Sequence, residues 1–153
     1  MSSALGARRS RATFVLAVCC VATAAVALAP PSGASSPSSA ECPPASVVAA
    51  ALGVKVKAPT SSLTPYAKIC TYAGGTYVPT KITFQEDTAA TFAASEKAVG
   101  SLAVKVTGLG KGAWTTTVGG DLDVFNGSET LKILAPTTSV AKLEALARKI
   151  PGF

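Results

Sequence analysis

The chain has 153 residues, with 14 lysines and arginines, 8 aspartates and glutamates and no histidine, and its formal net charge is +6. The absence of histidine excludes a serine or cysteine nucleophile activated by histidine. It also argues against a zinc site, because two of the four cysteines, Cys19 and Cys20, lie in an N-terminal apolar run and only two remain beyond it. Charged residues make up 14% of the chain, which does not provide the dense basic surface that nucleic-acid binding requires.

The N-terminal region has the pattern of a secretory signal peptide. Three arginines within the first eleven residues precede the apolar run 13–29, which two prolines and a series of small residues follow. A basic, an apolar and a small-residue region in this order are typical of such a signal. We expect residues 1–34 to be removed, with cleavage after Ala34 or alternatively after Ala27, and residues 35–41 to form a flexible lead.

Other roles for this segment fit the sequence less well. An uncleaved membrane anchor needs about 20 apolar residues, whereas this run is short and rich in alanine. A twin-arginine signal has apolar residues soon after the arginine pair, but Ser10 and Arg11 follow here. Cys19 and Cys20 lie inside the apolar run and Cys42 lies far beyond it, so a lipid anchor is the weaker alternative. Membrane contact is therefore expected only through the signal peptide or such an anchor.

The remaining chain, residues 42–153, is expected to fold as one domain. The chain after Ala34, without the three N-terminal arginines, has eleven basic and eight acidic residues, a net charge of +3. A mildly basic domain of this kind predicts no nucleic-acid partner. Cys42 and Cys70 are the cysteines that remain after export, and cysteines of exported chains are usually paired, so we expect a Cys42–Cys70 disulfide.

The first half of the domain predicts a helix and a strand pair. Residues 42–53 begin with two prolines next to the helix start and end on Gly53, which suits the position past a helix end. A linker follows, with a brief strand at 54–56. The segments 68–72 and 81–85 are β-branched and aromatic, with a turn-rich connection between them, and predict two paired strands.

The second half begins with another helix, over residues 87–100. Asp87 or Thr88 is expected to cap it and Gly100 to end it. Strands are expected next, at 101–107 and 112–118.

The clearest pairing signal is the Asn-Gly dipeptide in residues 126–129, which is typical of a hairpin turn. The segments on either side alternate in polarity, and a four-residue loop aligns apolar with apolar residues and acid with base. The predicted cross-strand pairs are Leu122–Ile133, Val124–Leu131 and Asp123–Lys132.

A third helix is predicted over residues 137–150, capped by Thr138 or Ser139. Its apolar face consists of Val140, Leu143, Leu146, Ala147 and Ile150. The order of helices and strands predicts an α+β domain: an antiparallel sheet of about five strands with three short helices packed mainly on one face.

Five short motifs are found along the domain: Cys42 before a helix ending in ALG, CTY at 70–72, VTGLGKGAW at 106–114, LDVFNGSETLKI at 122–133 and LEALARKI at 143–150. Together they resemble a functionally uncharacterised family of actinobacterial envelope proteins, known mainly as secreted lipoproteins. The resemblance implies a cell-envelope setting and paired cysteines at Cys42 and Cys70, and it implies no activity. This chain differs from the family pattern in lacking a clear lipobox.

The glycine-rich segment 106–114 raises the question of a phosphate-binding loop. Its glycine spacing matches neither the nucleotide nor the dinucleotide motif, and a strand-like sequence follows it. We expect a bend into a strand, with Trp114 buried. The alternative is a binding lip, in which Trp114 is partly exposed at the rim of an apolar concavity with Lys111 and Tyr77 beside it. These three residues are the candidate ligand-binding residues.

Other motifs have structural interpretations that we prefer. The S-x-x-K motif at 139–142 lacks its companion motifs, so Ser139 is expected to cap the helix, with Lys142 facing solvent. Asp121 and Asp123 share a strand face, and their carboxylates could help to hold calcium. The simpler interpretation is that this face is exposed to solvent and that its acidic residues pair with Lys132. No cofactor, zinc site or catalytic residue is predicted.

The sequence therefore predicts an exported cell-envelope protein that is not an enzyme. The preferred hypothesis is a non-catalytic module that binds an unidentified envelope ligand. The alternative is a protein-interaction or structural factor without a small-molecule site. A hydrolase with an unrecognised site is the least favoured interpretation.

Overall fold

The computed structural model describes residues 40–74 and 78–153, and all structural statements below concern these residues. The predicted signal peptide, the lead up to residue 39 and the candidate residue Tyr77 lie outside the described residues. Three α-helices are present: α1 (Ala45–Leu52), α2 (Ala89–Val99) and α3 (Val140–Ala147). The seven strands are β1 (Thr60–Leu63), β2 (Ala67–Tyr72), β3 (Thr80–Glu86), β4 (Ala103–Val106), β5 (Gly112–Thr116), β6 (Asp121–Phe125) and β7 (Glu129–Leu134).

The strands form one antiparallel sheet in the order β1-β2-β3-β7-β6-β5-β4. The α+β class is confirmed, but the expected number of about five strands is wrong. The unforeseen strand is β1, because its sequence TSSL has no polarity alternation and all four residues are exposed. It is held by backbone pairing with β2, whereas the strand expected at 54–56 does not form.

The hairpin of β6 and β7 has the predicted register in all three pairs. Successive residues of a strand point to opposite faces of a sheet, and directly opposed residues share a face. We call the face that contains Leu122, Val124 and Ile133 the first face. The face that contains Asp123 and Lys132 is the second face.

The main core lies between the first face and helices α1 and α3. Leu143, Leu146, Ala147 and Ile150 are buried there, as the helical pattern predicts, and residues of α1 join them. Val140, which the pattern assigns to the same face, is only partly buried. The predicted disulfide is confirmed: Cys42, ahead of α1, is bonded to Cys70 of β2. It attaches the start of the helical layer to the sheet.

Helix α2 lies on the second face, which corrects the expectation that all three helices pack mainly on one face. Thr88 caps it by accepting a hydrogen bond of 3.2 Å from the backbone nitrogen of Thr91. Phe92 is its only buried residue, and it packs with Trp114 and Phe125 in a second core. With one aromatic side chain among alanines, α2 has enough apolar surface to pack on a small area of the sheet, but not enough to form part of the main core.

Candidate ligand-binding groove

The glycine-rich segment is a bend that leads into β5, as expected. Gly110 has a φ of +48°, and a β-carbon there would collide with the carbonyl oxygen of Phe125. The next residue, Lys111, donates a backbone hydrogen bond of 2.7 Å to that same oxygen. Leu109 is buried in the main core. Because β5 begins at Gly112, the segment leads into a strand and not into a helix.

The same bend forms one wall of a groove of about 480 Å³. Helix α2 forms the opposite wall. We call this concavity the α2 groove; its lining residues are Ala89, Phe92, Glu96, Lys105, Val106, Thr107, Lys111, Gly112, Ala113 and Phe125.

Two stacked phenylalanines form the apolar part of the α2 groove. The ring centroids of Phe92 and Phe125 are 5.4 Å apart, and the ring planes differ by 21°. Gly112 allows the approach of α2, because a β-carbon at this position would lie 3.2 Å from the Phe92 ring. An apolar surface with a small number of polar groups at its margin is typical of ligand sites.

The charged groups of the α2 groove are two lysines and one glutamate. The ammonium of Lys105 lies 3.6 Å from a carboxylate oxygen of Glu96, in an ion pair of an exposed lysine with a partly buried glutamate. The side chain of Lys111 instead packs along Gly127 in the β6–β7 turn, where a β-carbon would lie 2.8 Å from the Lys111 Nζ. The Lys111 ammonium has no hydrogen-bond or ion-pair partner among the described residues.

The structure places the three candidate binding residues differently with respect to the α2 groove. Lys111 lines the α2 groove. Trp114 is only 5% exposed and belongs to the second core, so it is not a rim residue. Its buried indole Nε1 has no hydrogen-bond partner among the described residues. Tyr77 lies outside them. Sequence reasoning missed Phe92 and Phe125 as groove residues, because their pairing depends on the placement of α2 on the second face.

Asp123 does not lie on a wet face, which corrects a second expectation. It is 8% exposed, and its Oδ2 is 3.7 Å from the Lys132 ammonium. Burial raises the pKa of Asp123 to about 6, and the positive charge of Lys132 offsets only part of this effect. Asp121 accepts hydrogen bonds from the Thr116 hydroxyl at 2.7 Å and from the Thr116 backbone nitrogen at 3.2 Å.

These two aspartates therefore have separate local partners. Among the described residues, no group of three or more histidine, cysteine or acidic side chains is arranged to hold a metal ion.

The S-x-x-K motif has a structural role in α3. Ser139 occupies the N-cap position, but its hydroxyl makes no capping hydrogen bond. The ammonium of Lys142 donates a hydrogen bond of 2.9 Å to the carbonyl oxygen of Leu52 at the end of α1. Lys142 therefore connects two helices instead of simply facing solvent as expected.

A second concavity, of about 290 Å³, lies beside the disulfide. It is lined by the segment before α1 and by the residues after α3, with Phe84 at its base. Glu41 and Lys149 are its ionisable residues. It is smaller than the α2 groove, and one acid and one base balance its charge.

Within residues 40–74 and 78–153, no helix is long and apolar enough to cross a membrane. No protein-family model, curated protein or solved structure is significantly similar to this chain, so the resemblance to envelope proteins stays a prediction.

Proposed function

We propose that this chain is an exported, non-catalytic binding module and that the α2 groove holds an apolar small molecule. The carrying observation is the combination of the stacked Phe92 and Phe125 rings with an accessible concavity of about 480 Å³. Ligand sites commonly range from about 300 to 1,000 Å³ and combine apolar walls with few polar groups. The α2 groove fits this description in both size and lining.

Binding without catalysis fits the ionisable residues of the α2 groove. Glu96 is its single acid, and this carboxylate is already ion-paired with Lys105. Lys111 is exposed and forms no ion pair among the described residues. Such a set favours holding a ligand over transferring protons to or from it.

Export is supported by the disulfide between Cys42 and Cys70, since disulfides persist mainly in oxidising compartments. The resemblance to actinobacterial envelope proteins suggests the cell envelope as the destination. Mass spectrometry of protein collected outside the cytoplasm tests this part of the proposal. A new N-terminus between about residues 28 and 41 is expected, whereas a retained Met1 would contradict export.

Filling the α2 groove tests the binding function. Ala89 is an exposed residue of α2 that lines the groove, and Ala90 is its exposed neighbour outside it. The neutral dye Nile red serves as probe, because its emission rises in apolar surroundings. We expect Ala89→Phe to remove most of the dye binding, whereas the matched variant Ala90→Phe should bind like the unmodified protein.

Both variants add the same phenyl group to the first turn of the same helix, so a difference between them reports on the groove. Circular dichroism would verify that both are folded. If the unmodified protein fails to bind the dye, or if both variants bind it equally well, the α2 groove is not the site.

Protein interaction is the second candidate function, and the edge strand β4 favours it. This strand is paired only with β5 in the described sheet. Leu102, Val104 and Val118 expose 51%, 44% and 84% of their surfaces at this end of the sheet. Apolar residues on an open edge can mediate strand pairing between chains. Sedimentation velocity should then show self-association that Val104→Lys reduces, and a monomer at all concentrations would contradict pairing of two copies.

A further inference from the structure

We infer that the ligand of the α2 groove is an anionic amphiphile, whose head group is bound by Lys111 while its hydrocarbon portion covers the Phe92–Phe125 stack. This inference rests on the proposed function, because it assigns a ligand class to the same groove. The relevant chemistry is one apolar segment with one negatively charged group, such as a carboxylate, at its end.

Lys111 is placed where it can bind the negatively charged head group. Both the ammonium and the last methylenes of its side chain lie against Gly127 in the turn between β6 and β7. Lys111 nevertheless lines the same concavity as the two phenylalanines, and its ammonium forms no ion pair among the described residues. A lysine ammonium offers three hydrogen-bond donors, and a carboxylate accepts from such a donor with charge assistance.

The other two charged residues that line the α2 groove, Lys105 and Glu96, offset each other. Glu96 offsets the charge of Lys105, since their side chains form an ion pair at 3.6 Å. The three ionisable lining residues therefore leave one uncompensated positive charge, at Lys111. A single negative head group would neutralise it, whereas a cationic head group would meet net repulsion.

The apolar residues that line the α2 groove indicate that the ligand also has a hydrocarbon portion. Phe92, Phe125, Val106 and the small residues Ala89 and Ala113 are the apolar residues of the lining to which Lys111 also belongs. Phe92 and Phe125 are 7% and 5% exposed, so only a small part of each ring faces the groove. Burial of hydrocarbon supplies affinity, and the charged contact then selects among head groups. A small inorganic anion would use the lysine and leave the apolar part of the groove lining without a contact, so an amphiphile matches the α2 groove better.

Displacement of Nile red by three ligands with the same ten-carbon chain tests the inference. They are decanoate, decanol and decyltrimethylammonium, each below its micelle concentration. We expect decanoate to bind about fivefold or more tightly than decanol, and the cationic ligand to bind least tightly. Added salt should reduce the advantage of decanoate, because exposed charges are screened.

Lys111→Met removes the charge and keeps an unbranched apolar side chain. It should bring decanoate and decanol to equal affinity. Lys111→Glu should weaken decanoate binding by about tenfold or more. Lys81→Met is the matched control: Lys81 is an exposed lysine of β3 outside the α2 groove, and its loss should leave the preference unchanged.

The outcomes separate this inference from the proposed function. If the three ligands displace the dye equally, or if Lys111→Met leaves the decanoate preference intact, the inference is wrong while binding in the α2 groove still stands. If Ala89→Phe fails to block Nile red, both proposals fail together.

Discussion

The backbone of Gly112 supports the ring of Phe92 so closely that a β-carbon on residue 112 would lie 3.2 Å from the ring. The φ of Gly112 is not positive, so this position does not need glycine for its backbone conformation. Glycine is needed here because a side chain would occupy the space of the Phe92 ring. Because residue 112 has no side chain, α2 can pack closely on the second face, and this close packing affects the shape of the α2 groove.

We predict that Gly112→Val destabilises the domain by about 1–3 kcal/mol, the usual cost of overpacking. The added isopropyl group, whose β-carbon alone would lie 3.2 Å from the Phe92 ring, should displace Phe92 from Phe125 and narrow the α2 groove. Urea unfolding measures the free energy, and Nile red binding measures the groove. An unchanged unfolding midpoint together with normal dye binding would contradict the proposed role of this contact.

Two other glycines provide a matched test of the bend before β5. Gly110 and Gly119 both have positive φ, +48° and +71°, but a β-carbon on Gly110 would collide with Phe125 and one on Gly119 would contact nothing within 4 Å. Gly119→Ala should cost about 1–2 kcal/mol from backbone strain alone. Gly110→Ala should cost about 1–3 kcal/mol more, since overpacking is added to the strain.

Thermal or urea unfolding of the two alanine variants compares these costs directly. Equal destabilisation would show that the close approach of the bend to β6 contributes nothing.

The local patterns predicted much of this fold, whereas the position of α2 had to come from the structure. Strict alternation in β6 and β7 determines the register, because a one-residue shift would expose Leu122 and bury Lys132. The helical stripe of α3 likewise predicts its buried face. Helix α2 has no comparable stripe, so its sequence does not tell which sheet face it contacts.

The candidate site was predicted in part for the same reason. Lys111 was identified from its place in a glycine-rich loop, and the buried position of Trp114 followed from its size and rarity. The Phe92–Phe125 stack joins residues 33 positions apart on a helix and a strand, and local periodicity contains no information about such a contact. Burial of Asp123 was missed because polar alternation normally indicates an exposed face.

The buried carboxyl of Asp123 predicts a pH dependence of stability. Its pKa is raised from 3.8 to about 6, mainly by burial, so the folded state binds an additional proton between about pH 4 and 6. Stability should therefore fall as the pH rises through this window, by roughly 2–3 kcal/mol from this group alone. Asp123→Asn cannot ionise and should remove this slope.

Urea unfolding at several pH values between 4 and 7 would measure the effect. Glu144→Gln is the control, since this carboxylate belongs to an exposed i,i+4 ion pair with Arg148, and its loss should leave the slope in place. The same slope in Asp123→Asn as in the unmodified protein would contradict the assignment.

Two links join the start of α1 to β2. The Cys42–Cys70 disulfide closes a separation of 28 residues, and the Tyr72 hydroxyl donates a buried hydrogen bond of 2.6 Å to the carbonyl oxygen of Pro43. Replacing both cysteines by serine should cost about 3–4 kcal/mol, because the unfolded chain regains the entropy of an open loop. Tyr72→Phe should cost about 1–3 kcal/mol by leaving a buried carbonyl without its donor.

The two changes act on neighbouring residues and should not be additive. Once the disulfide is absent, the segment before α1 can move toward water, so Tyr72→Phe should cost less in that background. Urea unfolding of the single, double-serine and combined variants completes this cycle. Strict additivity would indicate that the hydrogen bond persists without the disulfide, and a double-serine variant as stable as the unmodified protein would show that the disulfide does not stabilise this attachment.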